Sequence, residues 1–148
     1  YKVIFYDIYN STNSHLAVRF MRGGSSITAS NYKSSILSSY TDSTPSNNAS
    51  TVRPQWNGTI MQLTNGDYPT TTASSARMQG EITLFNPLNT STHKVIQSRV
   101  TLLNSTNIMM QQLGYGRLED NTNALSGINI TGQAGNFVTG KFKLYGIK

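Results

Sequence analysis

The sequence predicts an all-β protein: an antiparallel, jelly-roll-like β-sandwich of about eight strands, built as one domain over residues 1–148. Three observations carry the prediction. Short runs alternate apolar with polar side chains, the period of a half-buried strand, and turn residues punctuate them. Ser, Thr and Asn supply 51 of the 148 residues, and their side chains compete with a helix for backbone hydrogen bonds. No stretch makes a strong case for a helix.

Residues 2–9 (KVIFYDIY) are dense in β-branched and aromatic side chains and read as a buried strand. In 15–22 (HLAVRFMR), Leu16, Val18 and Phe20 share one face. Asn10 to Ser14 is a natural turn, so the two runs are expected to form an antiparallel hairpin. Gly23-Gly24-Ser25-Ser26 is the next turn. Residues 27–40 leave two readings open. Helix-like spacings among Ile27, Tyr32, Ile36, Leu37 and Tyr40 allow a short helix over 33–39, and Asn31-Tyr32-Lys33 allows a strand. From Thr41 to Pro54 the chain reads as a long polar surface loop.

Residues 58–64 (GTIMQLT) read as a strand, with either Ile60 and Gln62 or Met61 and Leu63 inward. Asn65-Gly66-Asp67 is a strong turn signal. Residues 69–78 allow loop or edge strand. Gly80 to Phe85 reads as a strand halted at Asn86-Pro87. Residues 93–103 (HKVIQSRVTLL) form the longest alternating run, with Ile96, Ser98, Val100 and Leu102 on one face. Residues 107–112 and 126–131 add two strands, and Gly114 to Asn123 reads as a loop. The final run, 139–147, predicts a half-buried strand: Phe142 and Leu144 point one way, Lys141, Lys143 and Tyr145 the other. The first and last strands are the most apolar segments and are expected to pair.

Charge narrows the possible partners. Twelve Lys and Arg against six Asp and Glu leave a net charge of +6, but the basic residues are scattered singly along the chain. No basic run and no RRM, KH or helix-turn-helix signature appears, which argues against nucleic acid as a partner. The same charge suits an acidic particle surface or anionic glycans. No run approaches the ~18 apolar residues of a membrane span, so no membrane insertion is expected. Without cysteine there is no disulfide framework, thiolate metal site or cysteine nucleophile. The chain begins at Tyr1 rather than Met, as a trimmed protein or the C-terminal domain of a longer one would.

The search for chemistry yields no catalytic residue, no metal ligand set and no cofactor site. Six carboxylates (Asp7, Asp42, Asp67, Glu81, Glu119 and Asp120) include no pair with a glycosidase-like placement. His15 and His93 have no metal-ligand spacing. No Gly-x-Ser-x-Gly or phosphate-binding loop occurs. Asn-x-Ser/Thr triplets at Asn10, Asn48, Asn57, Asn89, Asn104 and Asn129 follow from the composition alone. What remains is a set of loop aromatics: Trp56, the only tryptophan, with Tyr40 and Tyr68 flanking its region, and Tyr115 in a later loop. Aromatic faces stack on sugar rings, which makes these four the ligand-binding candidates. The competing reading, and the one favoured by how large aromatics usually behave, has Trp56 plugging one end of the sandwich and the tyrosines packing at a subunit interface.

Three stretches together resemble β-sandwich modules of tailed-bacteriophage virion proteins. They are the opening strand 2–9 with Leu16-Ala17-Val18-Arg19-Phe20, the run Gly80 to Pro87 followed by Lys94-Val95-Ile96, and the ending Gly140 to Ile147. The resemblance implies a non-enzymatic structural protein exposed on the virion surface, of tail-fibre, tail-associated or capsid-decoration type. Its partners would be other virion subunits and itself, with a trimer as the first expectation. The alternative is a carbohydrate-binding module that recognises host surface glycan. The resemblance brings no catalytic residues with it and does not account for the polar stretch 41–54.

Overall fold

The computed structural model describes residues 1–41, 49–66, 72 and 76–147. Among them are eleven strands: β1 (Lys2–Asn10), β2 (Leu16–Arg22), β3 (Ser25–Ser26), β4 (Tyr32–Thr41), β5 (Ala49–Gly58), β6 (Met61–Gln62), β7 (Met78–Phe85), β8 (Lys94–Leu103), β9 (Met109–Leu118), β10 (Gly127–Gly132) and β11 (Phe137–Tyr145). The described residues contain no helix. One antiparallel sheet has seven strands in the order β11-β1-β7-β8-β9-β4-β5; the other has four, β10-β2-β3 with β6 paired to β2. The protein is an all-β sandwich. Phe5, Ile8, Ile82, Ile96, Val100 and Met110 of the large sheet share one buried cluster with Leu16, Val18, Phe20 and Met61 of the small one.

The longest alternating run forms as expected: Ile96, Ser98, Val100 and Leu102 are buried while Val95, Gln97 and Arg99 face out. β1 and β11 pair antiparallel, from Lys2 opposite Tyr145 to Asn10 opposite Phe137.

Several expectations fail, each for a physical reason. β1 and β2 do not form a hairpin but lie in different sheets. Each has an apolar face that needs a cover, and facing one another across the core covers both. The connection is held by the 134–136 segment: the Ser11 N–H donates to the Asn136 carbonyl, and the Ala134 N–H to Ser14 Oγ. Residues 33–39 are strand, not helix, because the inward positions of β4 include Ser34 and Ser38, which hide its period-2 pattern. The polar stretch ends early, since residues 49–58 form β5. β5 is an edge strand, where Pro54 removes no ladder bond that the sheet requires. Residues 42–48 lie outside the described residues, as do most of 69–78 and Asp67 of the expected turn. The strand expected over 58–64 shrinks to the two residues of β6, and neither alternation describes the segment, since Ile60, Met61, Gln62 and Leu63 are all buried.

Residues 114–118 continue β9 rather than looping. Their glycines are needed for close packing: a Cβ on Gly116 would lie 2.4 Å from Met61 Sδ, and one on Gly114 2.5 Å from Ser98 Oγ. The terminal strand differs most. No residue of β11 is fully buried, and Phe142 and Leu144 share a face with Phe5 and Val3 yet stay exposed. The four-stranded sheet does not extend beneath them.

One charged side chain is in the interior. Lys94 opens β8, is fully buried, and donates from its ammonium to the carbonyls of Thr92 (3.0 Å), Thr122 (2.9 Å) and Asn89. Burial pushes its pKa down, with Arg22 nearby adding to the shift and Asp120 opposing it. The lysine thus joins the turn before β8 to the segment after β9.

Candidate functional site

The outer face of the seven-stranded sheet carries the aromatic candidates. Trp56 does not plug the sandwich; its side chain is 70% exposed. It sits on edge strand β5 beside an irregularity in the β4–β5 register, between Ser34 opposite Gln55 and Tyr32 opposite Gly58. Asn57 takes a left-handed φ of 53° there. Such a bulge re-aims the neighbouring side chain, and the indole lies outward with Lys33 Nζ 5.3 Å from its centroid.

Tyr115 stands on β9, not in a loop, and is also exposed. Trp56 and Tyr115 line one groove together with Lys33, Ser35, Gln55 and Arg117. Tyr40 is not part of it. It lies seven residues from Lys33 along β4, roughly 23 Å at a strand's rise per residue, and packs part-buried against the core. Tyr68 lies outside the described residues.

Pairing across the strands brings charge to the groove. Lys33 is opposite Arg117, and the Glu119 carboxylate forms ion pairs with both. The Lys33 hydrogen bond, aided by Arg117, holds the Glu119 pKa below its usual range despite some desolvation. The groove also continues. Tyr115 lines a second one with Gln97, Thr83, Arg99 and Glu81, and Arg99 and Glu81 line a third that reaches Tyr6 on β1. With its amide turned so that the oxygen accepts, Gln111 takes hydrogen bonds from the Arg99 guanidinium at 2.9 and 3.1 Å. Lys141 and Lys143 each place Nζ 5.7 Å from the Tyr6 ring centroid.

The singly scattered basic residues are therefore gathered by the fold. Lys2, Lys33, Arg99, Arg117, Lys141 and Lys143 share this face, with Glu81 and Glu119 as its carboxylates. Scatter along the sequence does not mean scatter over the surface. No spacing signal could have shown this, because each cation sits on or beside a different ladder position.

The remaining polar candidates are otherwise engaged. The four described carboxylates are all ion-paired: Asp7 with Arg77, Glu81 with Lys2, Glu119 as above, and Asp120 with Arg22. Asp42 and Asp67 lie outside the described residues. His15 meets Gln62 Nε2 at 3.2 Å, and burial, then Arg53, pushes its pKa down. His93 is exposed at the other side of the chain's turn before β8. Among the described residues, no group of three or more His, Cys, Asp or Glu could hold a metal ion. Nor is any helix there long and apolar enough to cross a membrane. Asn10 and Asn104 are buried, which suits a compositional origin for those two Asn-x-Ser/Thr triplets.

A second surface is apolar. Along the open margin of the sandwich, Leu88, Leu144 and Ile147 are exposed beside Phe142 and Tyr145. A groove there is lined by Val3, Leu84, Pro87, Leu125, Ile128 and Leu144. No protein-family model, no curated protein and no solved structure matches this chain.

Proposed function

We propose that the chain is a non-enzymatic structural module on the surface of a tailed-phage virion, where it packs against copies of itself or neighbouring subunits. The observation that carries this reading is the uncovered apolar margin of β11: Phe142 and Leu144 are exposed on the strand's core-side face, Ile147 is exposed just beyond its end, and among the described residues the strand's outer edge is unpaired. Exposed apolar strips of this kind mark interfaces. Of the five strands that carry the resemblance to virion modules, β11, β1, β7 and β8 are consecutive in the large sheet and β2 lies in the small one. A low charge content of 12% limits repulsion between closely repeated copies.

Sedimentation tests the assembly. The protein should form a discrete oligomer, with a trimer as the first expectation for a fibre part. Leu144→Lys should reduce it to monomer while leaving the circular dichroism spectrum of the folded chain unchanged, since that side chain is 68% exposed in the single chain. A wild-type monomer at high concentration would remove self-association from the proposal. Antibody labelling of virions by electron microscopy then tests location: signal over heads means decoration, signal at tail or fibre tips means attachment, and no signal ends the virion reading.

A second reading is favoured by one specific observation. Trp56 and Tyr115 expose their rings on the same groove, among Ser, Gln and cationic side chains. That arrangement suits a carbohydrate-binding, host-recognition module, which could also be part of a virion. Trp56→Ala should abolish sugar binding and leave the fold intact.

A further inference from the structure

The three grooves on the outer face of the large sheet adjoin one another through shared lining residues, and together they cross most of it. Tyr115 is shared by the first and second, and Arg99 and Glu81 by the second and third. From Trp56 on β5 to Tyr6 on β1 the trough crosses five strand spacings, roughly 24 Å. A single sugar would fill only a small part of this length.

The chemistry along the trough is of three kinds. Aromatic rings stand at intervals: Trp56 and Tyr115 two strands apart, and Tyr6 at the far end. Between them lie uncharged hydrogen-bonding groups, among them Ser35, Gln97 and Thr83. Cations border the whole length, six on this face against two carboxylates. That leaves an excess of four of the chain's net six positive charges.

We propose that this trough binds an extended acidic polysaccharide, one whose carboxylates are separated by hydroxyl-rich sugar surface. The proposal rests on the carbohydrate-binding reading and adds to it the charge and length of the ligand. Aromatic faces take the apolar faces of sugar rings. Ser, Thr and Gln side chains exchange hydrogen bonds with hydroxyls, and the cations meet carboxylates at intervals. A single-stranded nucleic acid would also stack on exposed aromatics beside cations. It carries charge on every unit, however, and here Glu81 and Glu119 interrupt the cationic border. Intermittent positive charge in a hydroxyl- and amide-rich floor fits intermittent negative charge in a hydroxyl-rich polymer.

Binding to polygalacturonate oligomers tests this, with neutral dextran oligomers and oligo(dT) as competitors, by calorimetry at about 20 and about 150 mM salt. Polygalacturonate should bind, and more weakly at the higher salt, because exposed ion pairs are screened. Trp56→Ala and Arg99→Gln should each weaken binding by about fivefold or more. Both sites are at the surface, so thermal melting should be unchanged. Equal binding of dextran and polygalacturonate would overturn the acidic specificity and leave the carbohydrate reading standing. Binding of neither would overturn both. Preference for oligo(dT), or wild-type affinity in both variants, would also overturn the proposal.

Discussion

At the scale of single residues, Lys94 and His15 bear on stability in different ways. The Lys94 ammonium satisfies three carbonyls of two separate segments. Lys94→Met retains the aliphatic length and removes the donor, so those carbonyls lose a shared partner in a buried place. The expected loss is about 2–4 kcal/mol, checked by urea denaturation. Sequence gave no sign of this, since a lysine at the end of a strand usually points to water. For His15 the folded pKa lies below its ordinary value of 6.5. The unfolded chain therefore takes up its proton first as pH falls. The contribution is complete above about 6.5 and is lost as pH drops toward the folded value. Melting temperature should fall between about pH 7 and pH 5, and His15→Gln should flatten that part of the profile. Glu119 and Asp120 act lower: both have pKa values held down, so their contribution disappears only below their ordinary values of 4.5 and 3.8.

At the scale of elements, legibility followed the inward side chains. β8 was readable because its buried positions are mainly apolar, whereas β4 was obscured by inward Ser34 and Ser38. β9 read as a loop beyond residue 113 because glycine is a turn signal in sequence. Here Gly116 provides room for Met61 of the crossing β6, and Gly114 for the Ser98 side chain of the neighbouring β8. The same reasoning applies to Gly80 on β7, where a Cβ would lie 2.3 Å from the Arg99 backbone oxygen and 2.9 Å from Phe5 Cζ. Gly80→Ala must therefore displace a neighbouring strand, and a loss of about 2–3 kcal/mol is expected by thermal or chemical denaturation. Gly23 offers a contrast. Nothing lies within 4 Å of a Cβ there, but its φ is +57°. Gly23→Ala should cost only the left-handed backbone penalty, about 1 kcal/mol.

At the scale of the molecule, the fold class was legible from alternation and composition, and so was the pairing of the first and last strands. The partition into seven and four strands was not, because two apolar strands with a turn between them fit a hairpin and a crossing between layers equally well. The candidate site was half legible. Trp56 and Tyr115 stood out by residue type, but Lys33, Arg99 and Arg117 join them only through cross-strand register. That register is set by pairings such as β1 with β11 and β7, which close very long loops before any strand contact is gained. Refolding is therefore expected on the millisecond-to-second scale of β-sandwiches, measurable by stopped-flow fluorescence of Trp56.

The pairing of Lys2 with Tyr145 has a mechanical consequence. The two positions are neighbours at one end of an antiparallel ladder, so a tensile load applied between them would act across the strands. Such a load opens ladder bonds one after another, like a zipper, instead of shearing them all at once. Pulled from these two points, the module should yield at low force. A load applied along the strands, in opposite directions on β1 and β11, would instead shear the whole ladder at once and be resisted better.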